Sequence, residues 1–423
     1  MYMTCIDCAK RWDLYKVRIR CTCGGLLQIE QNWKELDADL LKRLFQARLM
    51  ERMTPYASGV WRYKELIHPE LPAEAIVTRY EGNTGLYEVD AAAKFAGIRR
   101  VLLKAQSENP SGSFKDNGMT AAVSHGRALG MQRFACSSTG NTSSSLAMYA
   151  AWCGEESYVF VPEEGVADGK VLQTLAYGGK LVRFPGTYDD GLRFLEEHAD
   201  EFGLYVCNSV NPLRIEGQKS IVFEIAHQLQ WSMPDWIVLP GGALSNASAL
   251  GKGLQELRSI GLIENVPRVA IVQAEGASPF HRMVEAKEPT LTPEPHPSTR
   301  ASALNIGSPP SWRKALQTLE YTNGVTVAVS DEQIFAAKEL IDRSGIGCEP
   351  ASAATVAGLK RLVAEQVIDK DETAVCILTG HLLKDADALT AYAGKRPEPM
   401  EHRMWERMMD MASNKRLAAL RRE

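Results

Sequence analysis

Short apolar runs alternate with stretches of helical spacing from about Glu81 to about Ala393. These runs begin at Val101, Tyr158, Leu181, Trp236, Val269 and Val375. Continuous apolar runs separated by helices of ordinary length are typical of parallel strands that are covered on both faces. The pattern therefore predicts an α/β fold with open, parallel-rich sheets, in which ligands bind where strands end and helices begin.

The two ends of the chain follow other patterns. Residues 1–30 are rich in cysteine and lack the periodicity of a core-forming element. Residues 31–75 carry helical spacing at Leu36, Leu40, Leu41, Leu44 and Phe45. Residues 396–423 are predicted to form a C-terminal helix whose Met/Trp face packs on the body or on a second subunit. That face consists of Met404, Trp405, Met408, Met409 and Leu420.

Composition then narrows the class of protein. Of the 423 residues, 45% are apolar and 24% are charged, and the formal net charge is −4. With both signs interspersed, neither nucleic acid nor a membrane surface is expected as a partner. No window approaches the ~20 apolar residues of a spanning helix, and the start lacks the pattern of a signal peptide. Five of the nine cysteines are scattered singly, a pattern that does not indicate a disulfide framework. Because disulfides are typical of secreted proteins, we expect a cytoplasmic protein.

One lysine stands where a strand is predicted to give way to a helix. The segment Ser107–Asp116 follows the run at Val101 and leads into a helical stretch, which places Lys115 near a helix N-terminus. The positive end of the helix dipole disfavours a cation there and lowers the pKa of the amine. Such an amine is suited to nucleophilic chemistry, although a surface lysine after a Ser/Gly turn is the alternative interpretation.

Three further turns between strands and helices carry candidate ligand-binding groups. Cys136–Ser143 holds more hydroxyl and amide side chains than the single one that caps a helix, and these could receive a carboxylate. Pro240–Ser248 has two glycines before a helix, which suits a phosphate held by backbone N–H groups or, equally, a structural turn. This segment matches neither nucleotide-binding glycine motif. Thr379 follows the last strand, where its hydroxyl could bond a ring nitrogen.

Together and in this order, these segments resemble the β-family (fold type II) of pyridoxal-5′-phosphate (PLP) enzymes, and within it the threonine synthases. The resemblance spans roughly residues 75–395 and includes the cysteine-rich N-terminus. It is carried by Glu81-Gly-Asn-Thr, Ser113-Phe-Lys-Asp, Ser138-Thr-Gly-Asn-Thr, Asn208–Gln218, Pro240-Gly-Gly, Ser302–Trp312, Cys348–Ala354 and Leu378–Asp385. It implies a two-domain fold type II enzyme (tryptophan synthase β-like), with a large PLP-binding domain over 76–108 and 202–395 and a small domain over 109–201.

The resemblance also implies a role for each matching residue. Lys115 would form the Schiff base with PLP, Asn141 would contact the 3′-oxygen, and Thr379 would face the ring nitrogen. The 5′-phosphate would be held mainly by the backbone of Gly241, Gly242, Ala243, Leu244, Ser245 and Asn246. The substrate carboxylate would meet Ser138, Thr139 and Thr142. The substrate phosphate would meet Asn208, Ser209 and Arg214, whose guanidinium suits a dianion, unless Arg214 pairs with a carboxylate instead.

The reaction implied is the conversion of O-phospho-L-homoserine and water to L-threonine and phosphate by a homodimer. A cysteate synthase acting on O-phosphoserine and a threonine or serine dehydratase are alternatives on the same fold. The dehydratase does not require the phosphate site at Arg214. A catalytically inactive relative serving as a binding module is a further alternative, which an intact Lys115 argues against.

Four cysteines near the start suggest a metal site. Cys5, Cys8, Cys21 and Cys23 place four thiols within nineteen residues, enough for one tetrahedral zinc. Four thiolates leave no open coordination position, so zinc would be structural. Because the second pair is one residue short of CxxC, a ribbon that folds without metal is an equal alternative.

Overall fold

The computed structural model describes residues 1–33, 35–163, 168–393 and 404–413. Residues 1–385 form one compact unit, and 386–423 form a second. The strands are β1 Tyr2–Cys5, β2 Arg11–Trp12, β3 Leu27–Glu30, β4 Leu86–Glu88, β5 Arg100–Ala105, β6 Arg133–Ser137, β7 Glu156–Pro162, β8 Lys180–Phe184, β9 Tyr205–Val206, β10 Trp236–Pro240, β11 Arg268–Ala274, β12 Val325–Val329 and β13 Thr373–Leu378. The helices are α1 Ala38–Arg48, α2 Lys64–Ile67, α3 Asp90–Ala96, α4 Lys115–Ala128, α5 Asn141–Cys153, α6 Asp168–Ala176, α7 Tyr188–His198, α8 Pro212–Gln218, α9 Ser220–Gln228, α10 Ser245–Ile260, α11 Pro279–Ala286, α12 Trp312–Thr322, α13 Asp331–Arg343, α14 Pro350–Ala364 and α15 Ala386–Ala393.

The larger sheet has six strands in the order β12-β11-β10-β13-β5-β4, parallel except for β4. Successive residues of a strand point to opposite faces, and here both faces are buried. In β13, Val375 and Ile377 join one hydrophobic core, while Ala374 and Cys376 join the other. This double burial explains the continuous apolar runs, and each of the six runs named from the sequence lies in a strand.

The smaller sheet has four parallel strands in the order β8-β7-β6-β9. Its last strand, Tyr205–Val206, pairs with β6 and extends this sheet beyond residue 201, where the small domain was expected to end. The fold class is therefore the α/β architecture expected, with two parallel-rich sheets. The exact division into large and small domains stays a prediction.

The N-terminal ribbon, residues 1–30, is a separate three-stranded antiparallel sheet in the order β2-β1-β3. Its inner side chains, among them Met3 and Leu27, pack into the same core as α4 and β6. The helical spacing that follows it produces α1, in which Leu41 and Phe45 are buried and Leu40 is exposed. Asp37 caps this helix by accepting a hydrogen bond from the Leu40 amide at 2.9 Å.

In the second unit, α15 is followed by a helix over 404–413. This helix is the described part of the C-terminal helix expected over 396–423, and its Met404, Trp405, Met408 and Met409 are exposed. Leu420, the remaining member of that face, lies outside the described residues. Among the residues that the structure describes, no helix is both long and apolar enough to cross a membrane.

Candidate active site

Lys115 is the first residue of α4, at the end of the loop that follows β5. The loop is joined to the turn after β13, because the Phe114 amide donates to the Thr379 carbonyl at 2.9 Å and Ser113 bridges to Gly380. Lys115 is half-buried as a residue, and its amine lies 4.0 Å from the centroid of the Phe114 ring. The sequence prediction of a lysine at a helix N-terminus is thus confirmed.

The surroundings of Lys115 favour its neutral, nucleophilic form. Burial, followed by the positive charge of Arg214, lowers the pKa of the Lys115 amine to about 7, while the Glu349 carboxylate acts in the opposite direction. The ordinary pKa of a lysine is about 10.4, so a far larger fraction is unprotonated at neutral pH. The sequence analysis expected the helix dipole to lower the pKa of Lys115. The structure adds two further causes, which are desolvation and the neighbouring guanidinium of Arg214.

Two glycines bring Arg214 near Lys115. Helix α8, which carries Arg214, packs against α4 so closely that a Cβ at Gly217 would overlap the carbonyl oxygen of Asn117. A Cβ at Gly118 would in turn lie 2.8 Å from the Arg214 carbonyl oxygen. Arg214 itself is fully buried, and its Nη1 donates to the Cys207 carbonyl at 3.0 Å.

The two other residues expected at the substrate phosphate differ from each other in their bonding. The Ser209 hydroxyl is buried and has no hydrogen-bond partner in the described chain, and its role toward a phosphate stays a prediction. The Asn208 amide instead holds the end of β6. Its Oδ1 accepts from the Ser137 amide at 3.0 Å, and its Nδ2 donates to the Ser137 carbonyl at 2.9 Å. A binding role for Asn208 stays a prediction, and its visible role is to position the loop after β6.

That loop, Ser138–Gly140, leads into α5, which begins at Asn141. The helix has no side-chain cap at Gly140, so no capping side chain accepts from its first N–H groups. Ser138, Thr139 and Thr142 are half-buried, and the Ser138 hydroxyl accepts from the Gly140 amide at 3.2 Å. This arrangement suits a small carboxylate, and the expected role of the loop in binding the substrate stays a prediction.

The loop after β10 leads into a second helix N-terminus, the one expected to hold the cofactor phosphate. Leu244, the residue before α10, has a left-handed backbone (φ 66°), and no side chain caps the helix. A Cβ at Gly242 would lie 2.8 Å from the Ala303 carbonyl oxygen, so only glycine allows this close approach. The buried Nδ2 of Asn246 has no hydrogen-bond partner among the described residues. The Ala243 carbonyl oxygen accepts a hydrogen bond from the Ser311 amide at 3.3 Å, which fixes the backbone of this loop.

Asn141 and Thr379 approach one shared partner that the sequence analysis did not assign. The Glu349 carboxylate accepts from Asn141 Nδ2 at 2.8 Å and from Thr379 Oγ1 at 2.9 Å. Ser352 supports the same turn, because its Oγ accepts from the Thr379 amide at 2.7 Å and from the Gly380 amide at 3.1 Å. The motif Cys348–Ala354 was recognised as part of the resemblance, but no role followed from it. A carboxylate next to a helix-starting proline was the available signal.

Buried Asp116 is a further residue that the sequence analysis left without a role. Its carboxylate accepts from the Ser111 amide at 2.7 Å, from the Ser111 hydroxyl at 2.6 Å and from the Ser145 hydroxyl at 2.5 Å. Burial raises the pKa of Asp116 to about 6, against these hydrogen bonds. The residue after Lys115 therefore ties the lysine loop to α5.

The four N-terminal cysteines come together as their spacing suggested. Their sulfur atoms all lie within 4.8 Å of one another, and the Cys8 sulfur lies 3.5 Å from that of Cys21 and 3.4 Å from that of Cys23. With zinc–sulfur bonds of about 2.3 Å, a regular tetrahedron separates its sulfurs by about 3.8 Å. Cys5 and Cys21 are buried, whereas Cys8 and Cys23 are exposed.

The residues of this site fit PLP. A lysine with a lowered pKa, an uncapped helix N-terminus behind close-packed glycines, and an unsatisfied amide at Asn246 match an aldehyde-bearing phosphate ester. Fold and site together define a PLP-dependent enzyme, and the family model described as pyridoxal-phosphate dependent enzyme matches residues 77–380. The chain belongs to this family and, within it, to the threonine synthases.

Curated relatives carry that assignment, and solved structures support the fold. Threonine synthase of Methanocaldococcus jannaschii is 41% identical over 92% of this chain and 94% of its own. Threonine synthase of Methanosarcina acetivorans is 42% identical over 91% of this chain and 92% of its own. Among solved structures, maize serine racemase matches with a TM-score of 0.63 at 16% identity, covering 85% of this chain and 100% of that chain. The processed form of threonine deaminase isoform 2 from Solanum lycopersicum matches with a TM-score of 0.62 at 18% identity, covering 84% of this chain and 90% of that chain. At such identities these structures support the fold alone.

Proposed function

We propose that this enzyme converts O-phospho-L-homoserine and water to L-threonine and phosphate. The relatives named threonine synthase support the reaction, since they cover almost the whole chain. The observation that carries the substrate assignment is the fully buried Arg214, held close to Lys115 by glycine-mediated helix packing. A buried guanidinium beside the reacting amine suits a substrate that carries a phosphate dianion.

Each residue of the site then has a chemical task. PLP, when bound, supplies an electron sink for carbanion chemistry. The Lys115 amine, whose pKa is lowered to about 7, takes the proton from the substrate Cα and returns protons to the carbon skeleton. The N-terminus of α10 would hold the cofactor phosphate through Gly241–Asn246, and the N-terminus of α5 would hold the substrate carboxylate at Ser138, Thr139 and Thr142.

Two hydroxyl or amide contacts would set the electronic character of the ring. Asn141 would donate to the 3′-oxygen. Thr379, a neutral hydroxyl anchored by Ser352, would face the ring nitrogen without keeping it protonated. A weaker electron sink disfavours transamination as a side reaction.

The leaving phosphate would remain at Arg214, with Ser209 as a second donor. A phosphate retained there can orient the water that adds at Cβ, which is a positioning effect. Asn208 would contribute through the backbone of Ser137 that it holds.

Product analysis tests this assignment against its alternatives. The PLP-loaded chain is mixed with O-phospho-L-homoserine in one tube and with O-phospho-L-serine plus sulfite in another. Threonine and phosphate from the first tube alone are expected. Cysteate from the second tube without threonine from the first would replace the proposal with a cysteate synthase, and ammonia release from unphosphorylated threonine or serine as the main activity would indicate a dehydratase.

For the N-terminal ribbon we propose a structural zinc bound by Cys5, Cys8, Cys21 and Cys23. The sulfur separations support it, since all four sulfurs lie within 4.8 Å of one another, close to the roughly 3.8 Å of a tetrahedral site. Metal analysis is expected to give about one zinc per chain, and Cys8→Ser should lower both zinc content and the midpoint of thermal unfolding. Zinc-free protein with unchanged stability would contradict the proposal. The homodimer and the cytoplasmic location stay predictions, the first testable by analytical ultracentrifugation.

A further inference from the structure

Glu349 bonds both Asn141, at the start of α5, and Thr379, in the turn after β13. It precedes α14, yet its side chain makes no cap for its own helix. Its backbone N–H donates to the Gly380 carbonyl at 2.9 Å, and a Cβ at Gly380 would lie 2.5 Å from the carboxyl carbon of Glu349. The carboxylate therefore packs directly against the Gly380 turn, and Glu349 is buried at 4% exposure.

The hydrogen bonds of Glu349 are compatible with a cofactor contact at Asn141. An amide NH₂ has two hydrogens, so one can remain on Glu349 while the second points toward the 3′-oxygen of PLP. Thr379 has a single hydroxyl hydrogen, which it donates to Glu349 here. The Ser352 hydroxyl lies 2.9 Å from Thr379 Oγ1 and keeps that oxygen in place when its hydrogen turns to the ring nitrogen.

Glu349 also faces the positive groups of the site. Besides burial, the positive charge of Arg214 on α8 lowers the pKa of the Lys115 amine, whereas the negative charge of Glu349 raises it. Burial lowers the pKa of Lys384, in the turn after β13, and the negative charges of Glu349 and then Asp116 act in the opposite direction. The charge of Glu349 therefore acts on both Lys115 and Lys384.

We propose that Glu349 is a positioning residue of this site, which orients Asn141 toward the cofactor and supplies the negative charge that faces Lys115. The inference rests on the proposed cofactor chemistry. A carboxylate near the amine sets what fraction of Lys115 is available to react, and the same carboxylate fixes the amide that contacts the ring. Loss of the charge and loss of the orientation should therefore have separate signatures.

The experiment compares the full-length chain with Glu349→Gln, Ser352→Ala and Glu365→Gln after removal of the cofactor. PLP is added back, and the growth of the visible absorbance of the lysine-bound cofactor is followed between about pH 6 and pH 9. A titration with PLP gives the dissociation constant. Glu349→Gln is expected to move the pH midpoint of capture down by about one unit and to weaken PLP binding about tenfold.

The other variants separate the two effects. Ser352→Ala loosens the turn at Thr379 without changing charge, so it should weaken PLP binding and leave the pH midpoint in place. Glu365→Gln removes an exposed carboxylate at the end of the same helix and should change neither quantity. Glu349→Gln with the midpoint and affinity of the unmodified chain overturns the inference, and a weaker affinity with an unmoved midpoint overturns the role of the charge. If the unmodified chain forms no such band, or Lys115→Ala forms it equally, the proposed function itself fails.

Discussion

The substrate-phosphate role of Arg214 gives the most discriminating prediction. Replacing it by glutamine removes the guanidinium from a fully buried position next to Lys115. A guanidinium bound to a phosphate through two charge-assisted hydrogen bonds, each about 1.5–3 kcal/mol, contributes about 3–6 kcal/mol. Converted at about 1.4 kcal/mol per factor of ten, kcat/KM for O-phospho-L-homoserine should fall about 10²- to 10⁴-fold.

The same substitution should change the titration of Lys115 in a known direction. The charge of Arg214 lowers the pKa of the lysine, so Arg214→Gln raises the pKa of the Lys115 amine that the bound substrate releases and moves the rise of kcat with pH toward higher pH. Arg214→Lys retains the charge but not the planar fork, and it should lose activity while the pH dependence stays close to that of the unmodified chain.

The assay is steady-state release of phosphate across the pH range, with bound PLP measured by absorbance to confirm that each variant is folded and loaded. Arg313→Gln, a substitution of a half-exposed arginine that pairs with Asp7 of the ribbon, serves as the control and should retain activity. Full activity in a folded, loaded Arg214→Gln enzyme would refute the phosphate assignment, and an unmoved pH profile would refute the electrostatic argument.

Three more predictions follow from the described residues. Lys115→Ala should abolish both turnover and the visible absorbance of bound PLP, and retention of either would contradict its role. Burial lowers the pKa of His68 to about 3 and that of His125 to about 4, so the native pair stays neutral while the unfolded chain takes up protons near pH 6.5. Stability is then fully present above pH 6.5 and falls toward pH 4, by about 2 kcal/mol per histidine between pH 7 and pH 5. Urea unfolding at the two pH values measures this, and His125→Gln should flatten the dependence. Gly217→Ala should lower the free energy of unfolding by at least about 2 kcal/mol, because the added methyl group overlaps the backbone of α4. An unchanged free energy of unfolding would show that α8 can move away from α4 without loss of stability.

The histidine pair illustrates what sequence reasoning could not reach. His68 Nε2 and His125 Nδ1 lie 3.1 Å apart, and His125 Nε2 lies 3.1 Å from the Leu14 carbonyl. A proton on His125 Nε2 satisfies Leu14 and leaves Nδ1 to accept from His68. Nothing near these residues in the sequence indicates the pairing, since it joins α4 to the segment after α2 and to the ribbon. Only the packing of three separate segments creates it.

Asn208 and Glu349 show the same limit inside the site. Both residues fall in motifs that the resemblance contained, so the sequence could indicate that these segments matter. It could not indicate that Asn208 would use its amide on the Ser137 backbone. Nor could it indicate that Glu349 would bond Asn141, 208 residues earlier in the chain. Side-chain direction at a loop depends on what the neighbouring loops leave open.

The sequence by itself determined the local parts of this protein. Apolar runs identified six of the thirteen described strands, and glycine- and hydroxyl-rich turns after strands identified the helix starts proposed to bind anions, because hydrophobicity and backbone freedom act over a few residues. Only the tertiary structure decided how these parts meet. The overlap excluded by Gly217, the desolvation of Lys115 and the carboxylate shared by Asn141 and Thr379 all depend on distances between segments far apart in sequence. Burial and charge act through space, so the reactivity of the lysine is a property of the assembled fold.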